Sequence, residues 1–341
     1  MKQYLKQTLL ASVVAIAGMP AYAQDTLKAT FTDPDDPVTS SVSSYMHVFK
    51  NELERIAGED FKVDLYPNGQ LGDQRSTVQQ VARGSIHFAN VASGVLASLY
   101  YPKLGIVDLP FLFDSRTQFN EMMSRDDPYI AQLLDELAAE TGIRVISLHA
   151  NGFRNLTTKN SSVCAPEDLK GLRIRTMEVV PHQKMIEALG ATAVPIPYLE
   201  LYTSLQTGVV DGQENPPSQI LQQRFYQVQG YMSETHHVMT VGAHITNEAW
   251  WQSLTDEQRG AILAANKEAS LALDGTSLVQ NMLGVQKIRD EGVEVCTPSQ
   301  EQMAAFRAAV VGPTKEWAVQ EFGAEFVDTF FAHMDSFKSG D

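Results

Sequence analysis

The segment from Gly171 to Pro216 limits the possible fold more than any other part of this chain. Its pattern predicts a short strand at its start, a helix that ends at Gly190, a Pro-rich turn, a second helix that ends near Gly208, and a last short strand at Val209-Val210. Strands that alternate with helices are typical of open α/β sheets, which bind ligands where their strands end. The segment therefore predicts one wall of a ligand site.

The same alternation continues along the rest of the chain. Short strand patterns are separated by helical patterns, which favours a mostly parallel α/β sheet. Strands are predicted over 27–31, 61–66, 86–91, 143–148, 238–245 and 293–296, and helices over 40–57, 73–83 and 128–141.

One predicted helix is exceptionally long. From Thr255 to about Asp290 no proline occurs, and Gly275 and Gly284 lie inside a helical pattern. At 1.5 Å per residue, such a helix would extend over roughly 50 Å. A helix of this length in an α/β protein is expected to brace two domains, and the chain length of 341 residues allows two domains of ordinary size.

The first 23 residues are typical of a secretory signal peptide. Lys2 and Lys6 precede a short apolar core, Leu9 to Gly18, and the run Ala21-Tyr22-Ala23 matches a cleavage pattern, which predicts cleavage after Ala23. The alternative is an N-terminal membrane anchor, but the apolar core is too short to span a bilayer. We therefore expect an exported, periplasmic protein with no direct membrane insertion. A net charge of −15 also disfavours nucleic acid and anionic membranes as partners.

Cys164 and Cys296 are the only cysteines. An even pair in an oxidising compartment permits one disulfide, which would close a long loop. Two separate, buried thiols are the alternative, and the spacing does not choose between them.

Four motifs in a fixed order, behind a signal peptide, carry a resemblance to a known family. The chain resembles the periplasmic solute-binding proteins (DctP-type) of TRAP transporters, the tripartite ATP-independent periplasmic transporters, over nearly all of residues 25–335. The motifs are YPNGQLGD at 66–73, NGFR at 151–154, PEDLKGLRIR at 166–175 and LQTGVVDGQENP at 205–216.

The resemblance implies an α/β, two-domain periplasmic-binding-protein fold with an interdomain cleft, hinge strands and a long helix that braces both domains. It implies domain I at 24–152 plus about 241–280, and domain II at 153–240 plus about 281–341. A small organic acid would bind in the cleft and be delivered to the membrane subunits of a TRAP permease. We expect a monomer that is not an enzyme and that uses no cofactor and no metal.

The resemblance also places candidate ligand-binding residues. Arg175 would pair with the ligand carboxylate, and its planar fork of donors suits that group. Arg154 would be a second cleft arginine or an interdomain structural one. Asn215 would contact the carboxylate or stabilise a turn, and Tyr198 would pack on the ligand or on the start of a helix. Glu178 would accept from ligand hydroxyls or cap a helix N-terminus.

The first-domain side is less clearly predicted. Gln74 and Ala92 stand where sialic-acid-binding relatives carry acidic side chains, which argues against sialic acid, and Gln74 remains a candidate ligand contact. The loop TDPDDPV could contribute Asp33 or Asp35 to the site, but solvated turn residues are the favoured interpretation. His236, His237 and His244 do not show a metal-site spacing, and His149 is interpreted as a core histidine.

The ligand identity and two rival functions stay open. A sugar acid such as a uronate or an aldonate fits the polar candidates, while two arginines would also suit a C4-dicarboxylate or another monocarboxylate. A secreted α/β enzyme is the rival from another class, but neither the nucleophile motif G-x-S-x-G nor the metalloprotease motif H-E-x-x-H occurs. A binding protein of an ABC transporter would differ only in its membrane partner.

Overall fold

The computed structural model describes residues 25–337, so the predicted signal peptide at 1–23 lies outside the described residues. The first half contains β1 (Asp25–Thr30), α1 (Ser41–Ala57), β2 (Phe61–Tyr66), α2 (Gln74–Ala82), β3 (Phe88–Ala92), α3 (Ser93–Leu99), α4 (Arg116–Met122), α5 (Pro128–Thr141), β4 (Ile143–Phe153) and β5 (Asn155–Thr158). The second half contains β6 (Arg173–Thr176), α6 (Val180–Ala188), β7 (Thr192–Pro195), α7 (Leu201–Thr207), β8 (Gly212–Asn215), α8 (Pro217–Gln222), β9 (Tyr231–Ser233), β10 (Met239–Asn247), α9 (Glu248–Ser253), α10 (Asp256–Asp290), β11 (Glu294–Cys296), α11 (Gln300–Phe322) and α12 (Ala324–Asp335).

The strands form two separate sheets. The first has the order β2-β1-β3-β10-β4, and the second has the order β11-β9-β5-β8-β6-β7. Within each sheet one strand runs against the others, β10 in the first and β5 in the second. Each sheet has a buried apolar cluster on both faces. The predicted two-domain α/β fold is confirmed.

The chain crosses between the sheets at a pair of hydrogen-bonded segments. Arg154 separates β4 of the first sheet from β5 of the second, and residues 234–238 connect β9 to β10. The amide of Arg154 donates to Val238 O at 2.8 Å, and the amide of His237 donates to Arg154 O at 3.2 Å. These two segments are the hinge strands, and they place the Arg154 side chain between the domains.

The long helix α10 forms over nearly the predicted residues. Thr255 caps it by accepting from the amide of Gln258, and the amide of Thr255 donates in return to Gln258 Oε1. Ile262 and Leu273 are buried in a cluster of the first domain, while Ile288 is buried in a cluster of the second. The helix therefore braces both domains.

The C-terminal helices differ from the predicted division of domains. Phe306 of α11 packs in the second domain, whereas Phe322 at the end of α11 packs in the first. Helix α12 then buries Val327, Phe330 and Met334 in the first-domain cluster. The assignment of all residues 281–341 to domain II is therefore wrong for the last part, because α11 is long enough to return the chain to the first domain.

Two local predictions in the 171–216 segment are also wrong. The strand predicted at Val209-Val210 forms instead at Gly212–Asn215, and Val209 is exposed. The Pro-rich turn contains an unpredicted strand, β7, whose Pro195 pairs with Thr176. Since β7 is an edge strand, it tolerates a residue that lacks an amide donor.

Candidate functional site

The candidate site is the cleft between the two domains, which holds about 690 Å³ of space that is partly open to solvent. At the rim the walls approach closely: a Cβ on Gly69, which has φ +64°, would lie only 2.6 Å from Leu199 Cδ1. The lining includes Thr32, Asp33, Gln74, Asn90 and Ala92 from the first domain and Arg154, Arg175, Glu178, Tyr198 and Asn215 from the second. All six predicted ligand-contact residues therefore line one cavity.

Arg175 is a buried cation with unused donors. It lies in β6 and is 1% exposed. Its Nε donates to Ile196 O at 2.9 Å, while its Nη1 is buried and finds no partner among residues 25–337. Burial, followed by the positive charge of Arg154, lowers the pKa of Arg175 to about 10. A buried guanidinium without a counterion favours an anionic ligand in the cleft.

Arg154 already has its counterion. Its Nε and Nη2 donate to the carboxylate of Glu214, with Nη2–Oε1 at 2.8 Å, and its Nη1 donates to Thr240 Oγ1 at 3.0 Å. Arg154 and Glu214 are both buried. The arrangement supports the structural alternative for Arg154, at the hinge, over a second bond to a ligand carboxylate.

Glu214 is the centre of a buried charge cluster that the sequence reasoning missed. His237 Nε2 lies 3.2 Å from Glu214 Oε2. His182 lies between two carboxylates, 3.5 Å from Asp108 Oδ1 and 3.6 Å from Glu214 Oε1. Burial acts to raise the pKa of Glu214, but Arg154 and His182 outweigh it and hold the pKa well below its usual range. Because these groups are far apart in sequence, no motif indicates the cluster.

Asn215 has a fixed orientation in the wall. Its Nδ2 donates to Gln213 Oε1, and Gln213 Nε2 in turn donates to Thr157 Oγ1 at 2.8 Å. The amide is therefore held by the interior of the second domain rather than by a turn. Its contact with a ligand stays a prediction.

Glu178 and Tyr198 occupy different parts of the wall. Glu178 Oε1 lies 3.7 Å from Nε of Arg75 on α2, so this ion pair crosses the cleft. Helix α6 has no side-chain cap at its start, so Glu178 does not have the capping role. Tyr198 lines the cavity and packs edge-on against Phe225.

Gln74 and Asn90 give the first-domain wall neutral polar groups. Gln74 Oε1 accepts from the amide of Ala92 at 2.7 Å, and its Nε2 donates to Thr32 Oγ1 at 3.4 Å. Asn90 Nδ2 lies 3.3 Å from Nε2 of His149, which is buried as predicted for a core histidine. These contacts fix the wall before a ligand arrives.

Asp33 departs from its predicted role. It is only 6% exposed and lines the cleft, so it is not a solvated turn residue. Burial raises its pKa to about 6. The one signal for it in the sequence is its place just after the first strand, where parallel sheets bind ligands. Asp35, by contrast, lies at the surface and pairs with His47 at 2.7 Å.

Away from the cleft, the two cysteines form a disulfide with their Cα atoms 6.0 Å apart. Cys296 belongs to β11 and Cys164 follows β5, so the bridge lies within the second domain. Over the described residues, no helix is long and apolar enough to cross a membrane. Within residues 25–337, no group of three or more His, Cys, Asp or Glu side chains is arranged so that it could hold a metal ion.

The chain is similar to known solute-binding proteins over most of its length. Residues 34–320 match the family model described as bacterial extracellular solute-binding protein, family 7. The sialic acid-binding periplasmic protein SiaP of Vibrio cholerae is 31% identical over 265 residues, which are 78% of this chain and 80% of that protein.

Two solved structures share the fold. The sugar acid binding protein of Advenella mimigardefordensis, in complex with galactonate, is 28% identical with a TM-score of 0.86, covering 92% of this chain and 99% of that chain. A TRAP periplasmic solute binding protein from Polaromonas sp. JS666, bound to D-erythronate, is 30% identical with a TM-score of 0.82, covering 90% and 98%. The chain therefore belongs to family 7 of the bacterial extracellular solute-binding proteins, the solute receptors of TRAP transporters.

Proposed function

We propose that this protein binds a sugar acid, such as an aldonate or a uronate, by its carboxylate in the interdomain cleft. The observation that carries the proposal is Arg175, a buried guanidinium in the cleft wall that has no counterion among residues 25–337. A carboxylate accepts two parallel hydrogen bonds from such a fork. Closure of the domains around this pair would exclude water and strengthen it.

The rest of the lining supports a hydroxylated ligand. Neutral groups that can both donate and accept hydrogen bonds are placed around the cleft, and sugar hydroxyls need such partners. They are Thr32, Gln74, Asn90, Asn151, Tyr198, Asn215, Gln219 and Thr240. Similar proteins hold galactonate and D-erythronate, both hydroxylated monocarboxylates.

A C4-dicarboxylate is the weaker candidate. It would need a second cation in the cleft, and Arg154 was the residue expected to supply it. Since Glu214 already neutralises Arg154, one free guanidinium remains for one carboxylate.

The loaded receptor would then dock on the membrane subunits of a TRAP permease. Its family is one of receptors rather than enzymes. We further propose that residues 1–23 direct export to the periplasm, with cleavage after Ala23, and that the mature protein acts as a monomer without nucleic acid as a partner.

The test is an Arg175→Ala variant titrated with D-galactonate and D-glucuronate by calorimetry. A saturating ligand stabilises the native state, so the wild type is also expected to show a raised midpoint of thermal unfolding. Removing one partner of a buried charge pair costs about 3–5 kcal/mol, which corresponds to a loss of affinity of at least about 100-fold.

Arg173→Ala is the matched control. Arg173 lies two residues earlier on the same strand, is exposed, and pairs with Asp211 at 2.7 Å. Residues two apart on a strand share a face, but the Arg173 side chain is outside the cleft lining, so binding should persist. If Arg175→Ala bound the ligand as tightly as the wild type, the assignment of Arg175 as the carboxylate-binding residue would be wrong.

A further inference from the structure

Asp33 is a buried carboxylate that no cation neutralises. Its backbone is held in place, because the amide of Asn68 donates to Asp33 O at 3.0 Å. Within residues 25–337 its carboxylate forms no ion pair and no hydrogen bond with another side chain. The neighbouring acids of the same loop differ: Asp35 pairs with His47, and Asp36 accepts from Thr39 Oγ1 at 2.6 Å.

The other acids that line the cleft are already engaged. Asp73 accepts from the amide of Ser76 at 2.7 Å and so caps α2. Glu178 lies 3.7 Å from Arg75. Glu214 neutralises Arg154. Among the charged side chains of the lining, only Arg175 and Asp33 have neither an ion pair nor a helix-capping role within residues 25–337.

These two charges belong to opposite walls. Arg175 lies in β6 of the second domain, and Asp33 follows β1 of the first. Tyr198 lines the same cavity as both. Burial and the negative charge of Asp33 raise its pKa, and the positive charge of Arg175 opposes this. A ligand that fills the cleft would therefore meet a cation on one wall and an anion on the other.

We propose that Asp33 selects the charge of the ligand: it accepts a hydrogen bond from a hydroxyl remote from the bound carboxylate and repels a second carboxylate at that position. The inference rests on the proposed function and narrows its ligands to hydroxylated monocarboxylates. An ionised carboxylate can only accept, so a hydroxyl satisfies it. A second carboxylate would bring two like charges together in a closed cleft, which costs several kcal/mol.

The experiment compares an aldonate with the aldarate of the same length. D-Galactonate and galactarate differ in one terminal group, a CH₂OH or a carboxylate. By calorimetry the wild type is expected to bind galactonate at least about 100-fold more tightly than galactarate. In Asp33→Asn, which keeps the shape and one acceptor oxygen, the ratio should fall at least about tenfold, mainly through tighter binding of galactarate.

Asp35→Asn is the matched control, since it removes an exposed charge from the same loop, and it should keep the wild-type ratio. D-Erythronate and tartrate form a second, shorter pair, with the same expectation.

The outcomes separate the two proposals. If galactonate or erythronate binds through Arg175 and Asp33→Asn leaves the ratio unchanged, the role of Asp33 is overturned and the sugar-acid function stands. A wild type that prefers the dianions overturns the role of Asp33 as well. If none of the four acids binds the wild type, the sugar-acid function fails and the inference fails with it.

Discussion

The two walls of the cleft are built on different principles. The second-domain wall contains buried charges that hold one another in place, with Arg154 and Glu214 paired and Asn215 fixed by Gln213. The first-domain wall is neutral or acidic, and its only buried charge in the lining, Asp33, has no cationic partner among the described residues. Under the proposed function, the second-domain wall would bind the carboxylate, while the first-domain wall would select the other groups of the ligand.

The strongest test of the preorganised wall is Glu214→Gln. It leaves the cation of Arg154 buried without its partner, so the free energy of unfolding should fall by about 3–5 kcal/mol. Urea denaturation at pH 7.5 measures the change. The control is Asp211→Asn, which breaks the exposed pair with Arg173 and should cost less than about 1 kcal/mol. Equal losses would contradict the distinction between buried and exposed pairs.

The disulfide allows the second domain to be weakened alone. Replacing Cys164 and Cys296 by serine releases a loop with a sequence separation of 132 residues, and we expect a loss of about 2–4 kcal/mol in the free energy of unfolding. The wild type in reductant should behave in the same way.

The double variant also tests whether the two domains unfold together. Hydrogen exchange is expected to accelerate in the second sheet and much less in the first. A uniform increase across both sheets would argue against domains of separate stability.

Asp33→Asn should stabilise the protein without ligand, in a pH-dependent way. The folded pKa of about 6 lies above the ordinary value of 3.8 for an aspartate, so the folded state holds the proton more tightly than the unfolded state. Stability from this group is therefore fully present below pH 3.8 and is lost as the pH rises through 6. Above that pH the loss amounts to at most about 3 kcal/mol.

The measurement is the difference in unfolding free energy between Asp33→Asn and the wild type. It should be largest at pH 8 and close to zero at pH 4. If this difference did not change with pH, ionisation of Asp33 would not lower the free energy of unfolding. Asp35→Asn is the control for removing an exposed charge from the same loop.

The smallest effect is expected where the walls meet. Arg75→Ala removes the 3.7 Å pair with Glu178, in which the two side chains are 39% and 27% exposed. Such a pair contributes less than about 1 kcal/mol, so affinity for D-galactonate should fall by no more than about fivefold.

Salt provides the control for this variant. High salt screens exposed charges, so the difference between Arg75→Ala and the wild type should shrink as salt is added. A loss of affinity comparable to that of Arg175→Ala would show instead that Arg75 binds the ligand directly.

Much of the fold followed from local pattern. The absence of proline and the cap at Thr255 predicted α10 to within a residue of its bounds, and the alternation at 61–66 predicted β2. Val209-Val210 misled the prediction because two β-branched residues favour a strand, yet the ladder forms at Gly212–Asn215, where the polar side chains find partners inside the second domain. Burial there depends on neighbours that periodicity does not reveal.

The sequence by itself determined the order of the elements, the family and the candidate role of Arg175, because propensity, periodicity and motif spacing are local properties. Only the tertiary structure decided which charged side chains are neutralised by a partner and which are not. Arg154 meets Glu214, 60 residues away, and is neutralised, whereas Arg175 forms no ion pair within residues 25–337. Asp33 looks like a solvated turn residue in the sequence, but in the folded protein it is buried in the lining of the cleft. Side chains lose water and find partners only when segments distant in sequence come together. Residues of the same type can therefore have different roles in the site.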